Sequence, residues 1–276
     1  MTYLVTGATG AVGRHVVTSL LERGVRVRAL TRSASRARFA DEVEVVEGDL
    51  TRLDTIVPAL EGVAGVHLID TADSDYTPLR NGSELVKLLE GRKVTLLSSW
   101  GEGTLEPALR ASTLDWTYIQ PTEFMSNALA WAQSVRLSNR IEEPFAATKT
   151  VMVHEADIGA VIAHVLTSDG HTGKTYGLTG GERLDIPTKV RILGEAIGRE
   201  IEFVELSIEQ MRAKYAAEGV PEEMIDFQIR VFGDVDPDAY QPSSTVADLL
   251  GRTPLTFAQW AAEHADAFRP EYSSAR

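Results

Sequence analysis

The sequence predicts an α/β fold: a doubly wound parallel sheet followed by a smaller, mostly helical cap. Three observations lead there. Apolar strand-like segments alternate with amphipathic helical ones through the first half of the 276-residue chain. A glycine-spaced turn, VTGATGAVGRHVV, joins the first strand to the first helix. After Pro121 the alternation breaks, and from Pro187 onward helical patterns dominate. Continuous apolar strands need both faces covered, which parallel strands with crossover helices supply. Right-handed crossovers then leave ligand sites at the carboxyl ends of the strands.

In order, TYLVTG is a strand, and AVGRHVVTSLLERG is a helix with Val16, Val17, Leu20 and Leu21 as its apolar stripe and Gly24 as its stop. VRVRAL is the second strand and VEVVEGDL the third. A helix around Leu53 to Leu60 leads to the strand GVHLID. Leu79 to Leu89 is a helix, KVTLLSS the fifth strand, and a short helix precedes the strand DWTYIQP. A helix near Phe124 to Leu137, a loop and TVMV follow. EADIGAVIAHVL is a helix, KTYGLTG a strand, and IEFVEL a strand among the later helices. The expected division is 1–123 and 154–178 for the sheet domain, with 124–153 and 179–276 for the cap.

Composition narrows the function classes. A net charge of -13 repels nucleic acid phosphates and anionic lipid, so neither is an expected partner. With no cysteine, thiolate chemistry and cysteine metal sites are excluded. The six histidines form no metal-binding spacing, and no metal is expected. No apolar run reaches the roughly 18 residues of a membrane span. The chain enters its first strand at once. A cytoplasmic monomer or homodimer is expected.

Gly7, Thr9, Gly10, Ala11, Val12 and Gly13 occupy the strand-to-helix turn that holds a dinucleotide pyrophosphate, with the Rossmann spacing of glycines. Helix-start amides and the helix dipole favour the anion. An NAD-preferring site carries a carboxylate at the end of the second strand. Here that strand ends ALTRSASRAR, with Arg32 at that point and Arg36 and Arg38 following. Guanidinium groups suit a 2′-phosphate, so NADP(H) is expected ahead of NAD(H); a solvated basic loop is the plainer reading. Asp49 and Leu50 follow the third strand. Asp49 suits the adenine amino group or a cap on the helix near Thr51, and the two are compatible.

TGATGAVG, ALTR, VEVVEGDL, LLSS, LDWTYIQPTEFMSN, HEADIGAVIAHVL and KTYGLTG resemble, in order and over nearly the whole chain, the NmrA-like group of atypical short-chain dehydrogenases. That group includes NADPH-dependent quinone oxidoreductases, tailoring reductases and redox-sensing regulators. The resemblance implies a nicotinamide site at Thr71, Ala72, Ser98, Ser99 and Pro121 to Phe124. It implies a substrate pocket bordered by Phe124, Met125 and Asn127. Where the group often has arginine before this proline, Gln120 stands here.

Typical short-chain dehydrogenases carry a Tyr-x-x-x-Lys pair whose phenol is the general acid. None of the seven tyrosines here has lysine four places on. The nearest imitation, Tyr76 to Arg80, lies after the fourth strand and contains Pro78. Ser98 and Ser99 are the remaining catalytic candidates, as oxyanion partners or as mere strand-end residues. Asp70, Asp73 and Tyr76 suit a pocket wall or a solvated loop. Trp100 suits stacking or packing, and His154 suits the cleft or the structure. His67 reads as a packed strand residue and Asp157 as a helix start. Met211, Tyr215, Met224, Phe227 and Phe232 suit the cap side of a pocket, and core packing accounts for them equally well.

The chain therefore reads as an NADPH-dependent oxidoreductase passing hydride to a small aromatic or quinone-like substrate without a Tyr-x-x-x-Lys acid, with specialised metabolism as the setting. Two alternatives stay open: a non-catalytic NADP-sensing regulator, and quinone reduction coupled to oxygen-dependent hydroxylation.

Overall fold

A computed structural model describes residues 1–71, 77–98, 101–233 and 240–270. The chain divides into two compact units. The first comprises Met1–Thr122, Glu155–Leu178 and Ser244–Thr253; the second comprises Glu123–His154, Thr179–Ser243 and Pro254–Arg276.

In the first unit, the strands are β1 (Thr2–Val5), β2 (Arg26–Thr31), β3 (Glu44–Glu47), β4 (Val63–Ile69), β5 (Lys93–Leu97), β6 (Asp115–Pro121) and β8 (Lys174–Leu178), β7 lying in the second unit. They form one sheet in the order β3-β2-β1-β4-β5-β6-β8, every neighbouring pair parallel. The chain order reverses between β1 and β4, the crevice where doubly wound sheets hold their ligands. Thr6 closes the two strand ends together: its amide donates to the His67 carbonyl at 3.0 Å, and its Oγ1 accepts from the Ile69 amide at 3.1 Å.

The crossovers are α1 (Gly13–Glu22), α2 (Leu53–Ile56), α3 (Gly82–Leu88), α4 (Leu105–Arg110) and α6 (Glu155–Thr167). The helix expected over Leu53 to Leu60 stops at Ile56 and resumes as a 3₁₀ turn, Pro58–Leu60. Pro58 has no amide to continue the ladder. Leu30, Leu60, Val66, Leu68, Leu85, Val94, Leu96 and Leu109 make one core between sheet and helices. On α6 the side chains of Ile158, Val161, Ile162, Val165 and Leu166 are all buried. Gly159 lets this helix touch α1, since a Cβ there would stand 2.6 Å from the His15 backbone. Asp157, wholly buried, pairs with Arg252 at 2.7 Å. That pair helps tie α10 (Thr245–Leu250), placed by the sequence reading in the cap, to the first unit. His67 is packed inside β4, as expected, with Nδ1 3.0 Å from Thr95 Oγ1. Burial pushes it down to about 3, so it is neutral.

The second unit contains a 3₁₀ segment, Met125–Trp131, running into α5 (Ala132–Ser138). The expected helix thus begins in the tighter form; Ser126 and Asn127 are weak helix formers. A short parallel pair joins β7 (Arg140–Glu143) to β9 (Glu202–Glu205). Around it are α7 (Ile186–Ile197), α8 (Ile208–Ala217), α9 (Glu222–Gln228), α11 (Phe257–Glu263) and α12 (Ala265–Phe268). The core gathers Met125, Val135, Ile141, Met152, Leu193, Phe257, Trp260 and Phe268. The Trp260 ring stacks on Phe257 and His264, with centroids 5.5 and 4.4 Å away. Reciprocal Ser207–Gln210 and Thr256–Gln259 bonds start α8 and α11.

Candidate functional site

The turn from Gly7 to Gly13 owes its shape to its glycines. Gly7 has φ +58°, open to glycine at little cost. At Gly13, a Cβ would collide with the Gly7 carbonyl and the Ala8 backbone. The Gly10 amide donates to the Gly7 carbonyl at 2.9 Å, closing the turn. Thr9 and Gly10 are exposed, Ala11 is half-buried and Val12 is buried. The first turn of α1 carries no acidic residue and no side-chain cap. Those features fit a dinucleotide pyrophosphate: the turn offers backbone amides, a positive helix end and no competing carboxylate.

Arg32 and Arg36 are exposed at and beyond the end of β2. Arg38 turns back instead, donating to the Ser35 and Ala37 carbonyls at 3.0 Å each. Leu50 is buried in the core. Asp49 Oδ1 accepts from the Thr51 amide and hydroxyl at 2.9 and 2.8 Å. Partial burial pushes its pKa up, but those bonds and the charges of Arg32 and Arg52 outweigh it and hold the carboxyl below its ordinary value. The Arg32 charge is thus felt at the end of β3.

Beyond the ends of β4 and β5 a group of buried polar side chains appears. Ser98 Oγ donates to Glu106 Oε1 at 2.6 Å, and the Gly103 amide donates to Glu106 Oε2 at 3.0 Å. The Ser98 hydroxyl proton is therefore committed to a carboxylate, which leaves it an acceptor rather than an oxyanion donor. Asp70 is buried, and among the described residues its Oδ1 has no hydrogen-bond partner. Burial and the charge of Glu106 push Asp70 up to about 7 against an opposing backbone bond from Leu105. Tyr118 donates its hydroxyl to the Glu106 carbonyl at 2.6 Å. Burial is the main cause that pushes this phenol up to about 12, so it is no substitute for an activated tyrosine. Thr71 is half-buried and bridges to Pro78. Gln120, in the place of the resemblance's arginine, is exposed. Ala72, Asp73, Tyr76, Ser99 and Trp100 lie outside the described residues.

The second unit contains a cavity of about 370 Å³, within the usual range for small-molecule sites. Trp131, Phe145, Tyr215, Met224, Phe227 and Phe232 supply its apolar wall. Asn127, Glu123, Glu143, Thr150 and Lys189 supply the polar groups. Glu143 is clamped from two sides, accepting from Trp131 Nε1 at 2.9 Å and from the Tyr215 hydroxyl at 3.1 Å. Glu123 Oε2 accepts from Thr150 Oγ1 at 2.6 Å and faces Lys189 Nζ at 3.4 Å. Lys189 also donates to Thr150 Oγ1 at 2.8 Å. Phe145 holds φ +58°, a strained conformation for an aromatic residue and a common mark of functional sites.

Of the expected pocket residues, Tyr215, Met224, Phe227, Phe232 and Asn127 are on this wall. Met125 and Met211 are not: both side chains are buried, Met125 in the core beside Val190 and Leu193. Phe124, half-buried, bridges to Val153 and does not line the cavity. His154 is buried with Nε2 3.4 Å from Glu263, a structural position. Pro121 ends β6. Sequence reasoning missed Glu143, Trp131, Thr150 and Lys189, and named Glu123 only within the Pro121 to Phe124 nicotinamide stretch. One signal was present: Lys189 interrupts the buried stripe of α7 formed by Val190, Leu193 and Gly194.

Comparison with known proteins settles the family. Residues 7–104 match a family model described as NAD(P)H-binding. An NAD(P)H azoreductase of Xenophilus azovorans is 30% identical, over 96% of this chain and 98% of that protein. The chain belongs to the NmrA-like family of atypical short-chain dehydrogenases/reductases. A (4-alkanoyl-5-oxo-2,5-dihydrofuran-3-yl)methyl phosphate reductase of Streptomyces griseus is also 30% identical, over 97% of this chain and 99% of that one. The fold matches that of the NADPH complex of an NADPH-dependent quinone oxidoreductase from Escherichia coli, with a TM-score of 0.77 at 22% identity, covering 95% and 99% of the two chains. This NmrA-like protein is an NAD(P)H-dependent oxidoreductase. Among the described residues, no helix is long and apolar enough to cross a membrane, and no group of three His, Asp or Glu is placed to hold a metal ion.

Proposed function

We propose that this NmrA-like oxidoreductase reduces a small aromatic or quinone-like acceptor bound in the cavity of its second unit. The observation that carries the reading is the cavity itself: aromatic walls, a few fixed polar groups, and no phenol suited to acid catalysis. Tyr215 gives its hydroxyl to Glu143, and burial with that charge raises its pKa. NADPH supplies the hydride when bound. The first unit holds it, with Gly7, Thr9, Gly10, Ala11, Val12 and Gly13 on the pyrophosphate and Arg32 and Arg36 on the 2′-phosphate. Asp49 with Leu50 serves the adenine side; Thr71, Ser98 and Pro121 serve the nicotinamide side.

An acceptor that takes hydride without a protein acid fits this arrangement. A quinone yields a stabilised phenolate that water protonates, so the missing Tyr and Lys do not stop turnover; for an ordinary ketone the missing acid costs roughly 10²–10⁴ in rate. The test is a panel of quinones, azo compounds and aromatic ketones, followed by loss of NADPH absorbance. Turnover is expected for the first two groups and not for ketones. No turnover with any acceptor would refute the reading. Oxygen uptake during turnover would reveal reduction coupled to hydroxylation.

A further inference from the structure

Phe145 stands in a backbone conformation that suits glycine. Its φ of +58° lies in the left-handed region, where a large side chain strains the chain. Such a residue persists only where its surroundings hold it. Three bonds do so here. The Thr148 amide donates to the Phe145 carbonyl at 2.9 Å, and the Ala146 amide donates to Glu205 Oε1 at 3.1 Å. Thr148 Oγ1 donates to the Phe232 carbonyl at 2.8 Å. A glycine would make the same turn without strain, so the turn does not account for the ring.

The place of the ring does. Phe145 and Thr148 line the cavity of about 370 Å³ and also a neighbouring one of about 570 Å³ in the same unit. The neighbour is bounded by Glu205, Leu206, Ser207, Ile208 and Gly233 among its described residues. Ile208 is 48% exposed, a large apolar side chain with open space beside it. The Phe145 ring rests on Gly233, the last residue of a single π-helical turn, Ile229–Gly233. A Cβ on Gly233 would stand 3.0 Å from Phe145 Cε1, so glycine leaves the room that the ring fills. Turns of this kind recur at functional sites.

From this we infer that Phe145 is a specificity-determining residue that limits the length of the acceptor. Its ring closes the 370 Å³ cavity against its neighbour, so a compact ring system is seated and an acceptor carrying a second ring on a short arm is not. The inference rests on the reductase reading proposed above and says what that site excludes. Without the ring the two spaces join, and the arm gains an apolar place against Leu206 and Ile208. Discrimination by such a wall falls on kcat/KM and on binding together, because a longer acceptor fails to enter in its ground state.

The experiment compares 1,4-naphthoquinone with the same quinone bearing a 2-phenylethyl arm, by equilibrium titration of the full chain and by loss of NADPH absorbance. The unmodified protein is expected to gain nothing from the arm. Phe145→Gly, which suits the +58° backbone and keeps the turn, should shift the ratio of the two affinities toward the armed quinone by roughly tenfold or more, the worth of burying one ring. Unchanged binding of the plain quinone by this variant shows that the cavity is intact. Adding Ile208→Trp fills the neighbouring space and should cancel the gain, which a general loosening of the cavity would not predict. A preference for the armed quinone already present in the unmodified protein would overturn the inference. So would a ratio that Phe145→Gly leaves unmoved, or a gain that survives Ile208→Trp. NADPH consumption with both quinones at an unmoved ratio overturns the inference alone. The expected binding shifts with no NADPH consumption by any acceptor uphold the length limit and sink the reductase reading instead.

Discussion

The phosphate loop takes its geometry from one unbroken stretch, Gly7 to Gly13, whereas the cavity of the second unit draws on segments scattered from Glu123 to Phe232. The loop works through backbone: a left-handed Gly7, a Gly13 with no room for a side chain, and amides at the start of α1. The cavity works through side chains fixed by one another, as Glu143 is by Trp131 and Tyr215. A backbone site needs residues of the right smallness at the right spacing. A side-chain site needs partners from distant elements, and its parts carry no common spacing.

The comparison breaks most sharply at Gly13. In Gly13→Ala the new methyl must push apart the Gly7 and Ala8 backbone. Overpacking of about 1–3 kcal/mol within the loop weakens NADPH binding roughly tenfold to hundredfold, measured by titration. An unchanged affinity would show that the loop does not hold the cofactor. The cavity's counterpart is Glu123. Glu123→Ala strands the buried Lys189 ammonium and should cost about 1–3 kcal/mol in urea unfolding, less than a fully buried pair because Glu123 keeps solvent contact. Lys189→Met removes the buried charge itself and should cost less. The reverse order would show that Lys189 does not depend on Glu123.

A smaller effect sharpens the cofactor side. Arg32→Ala should reduce the preference for NADPH over NADH by about tenfold, read from the ratio of kcat/KM values. If the ratio does not move, Arg32 belongs to a solvated loop. The last effect is pH-linked. Asp70 binds its proton more tightly folded, up to about 7, than unfolded, near 3.8. Between those values the native state holds more protons, so this group makes stability fall as pH rises and adds no further change above the folded value. Asp70→Asn removes the ionisation cost. The variant should melt above the unmodified protein near pH 8, with the gap closing toward pH 4. His67 acts oppositely: its pKa is depressed to about 3 from 6.5, so its contribution falls away as pH drops through that interval. A gap for Asp70→Asn that does not change with pH would place its carboxyl in water.

Several elements were readable because their physics is local. β1, α1, β2, β4, β5 and β6 follow from apolar periodicity and glycine stops. The set Tyr215, Met224, Phe227 and Phe232 was visible as apolar residues on helices, though sequence alone left pocket and core equally open. Met125 and Met211 show why: the same residue type at a neighbouring position is core. β9 was read as the strand IEFVEL, but β7 and its pairing with β9 escaped notice because β7 has four residues and its partner lies far along the chain. The final assignment of Ser244–Thr253 to the first unit also rests on long-range contacts, Arg252 to Asp157 among them.

By itself the sequence determined the parallel sheet, the phosphate loop, the arginine in place of a ribose-binding carboxylate, and the absence of a Tyr-x-x-x-Lys pair. These depend on residue type at short spacing, where backbone geometry leaves few choices. Tertiary structure alone decided that Ser98 spends its proton on Glu106, that Lys189 is buried against Glu123, and that Phe145 lines two cavities. A glutamate in a sequence looks the same whether it faces water or an aromatic cavity. Only folding sets its neighbours, and its neighbours set its chemistry.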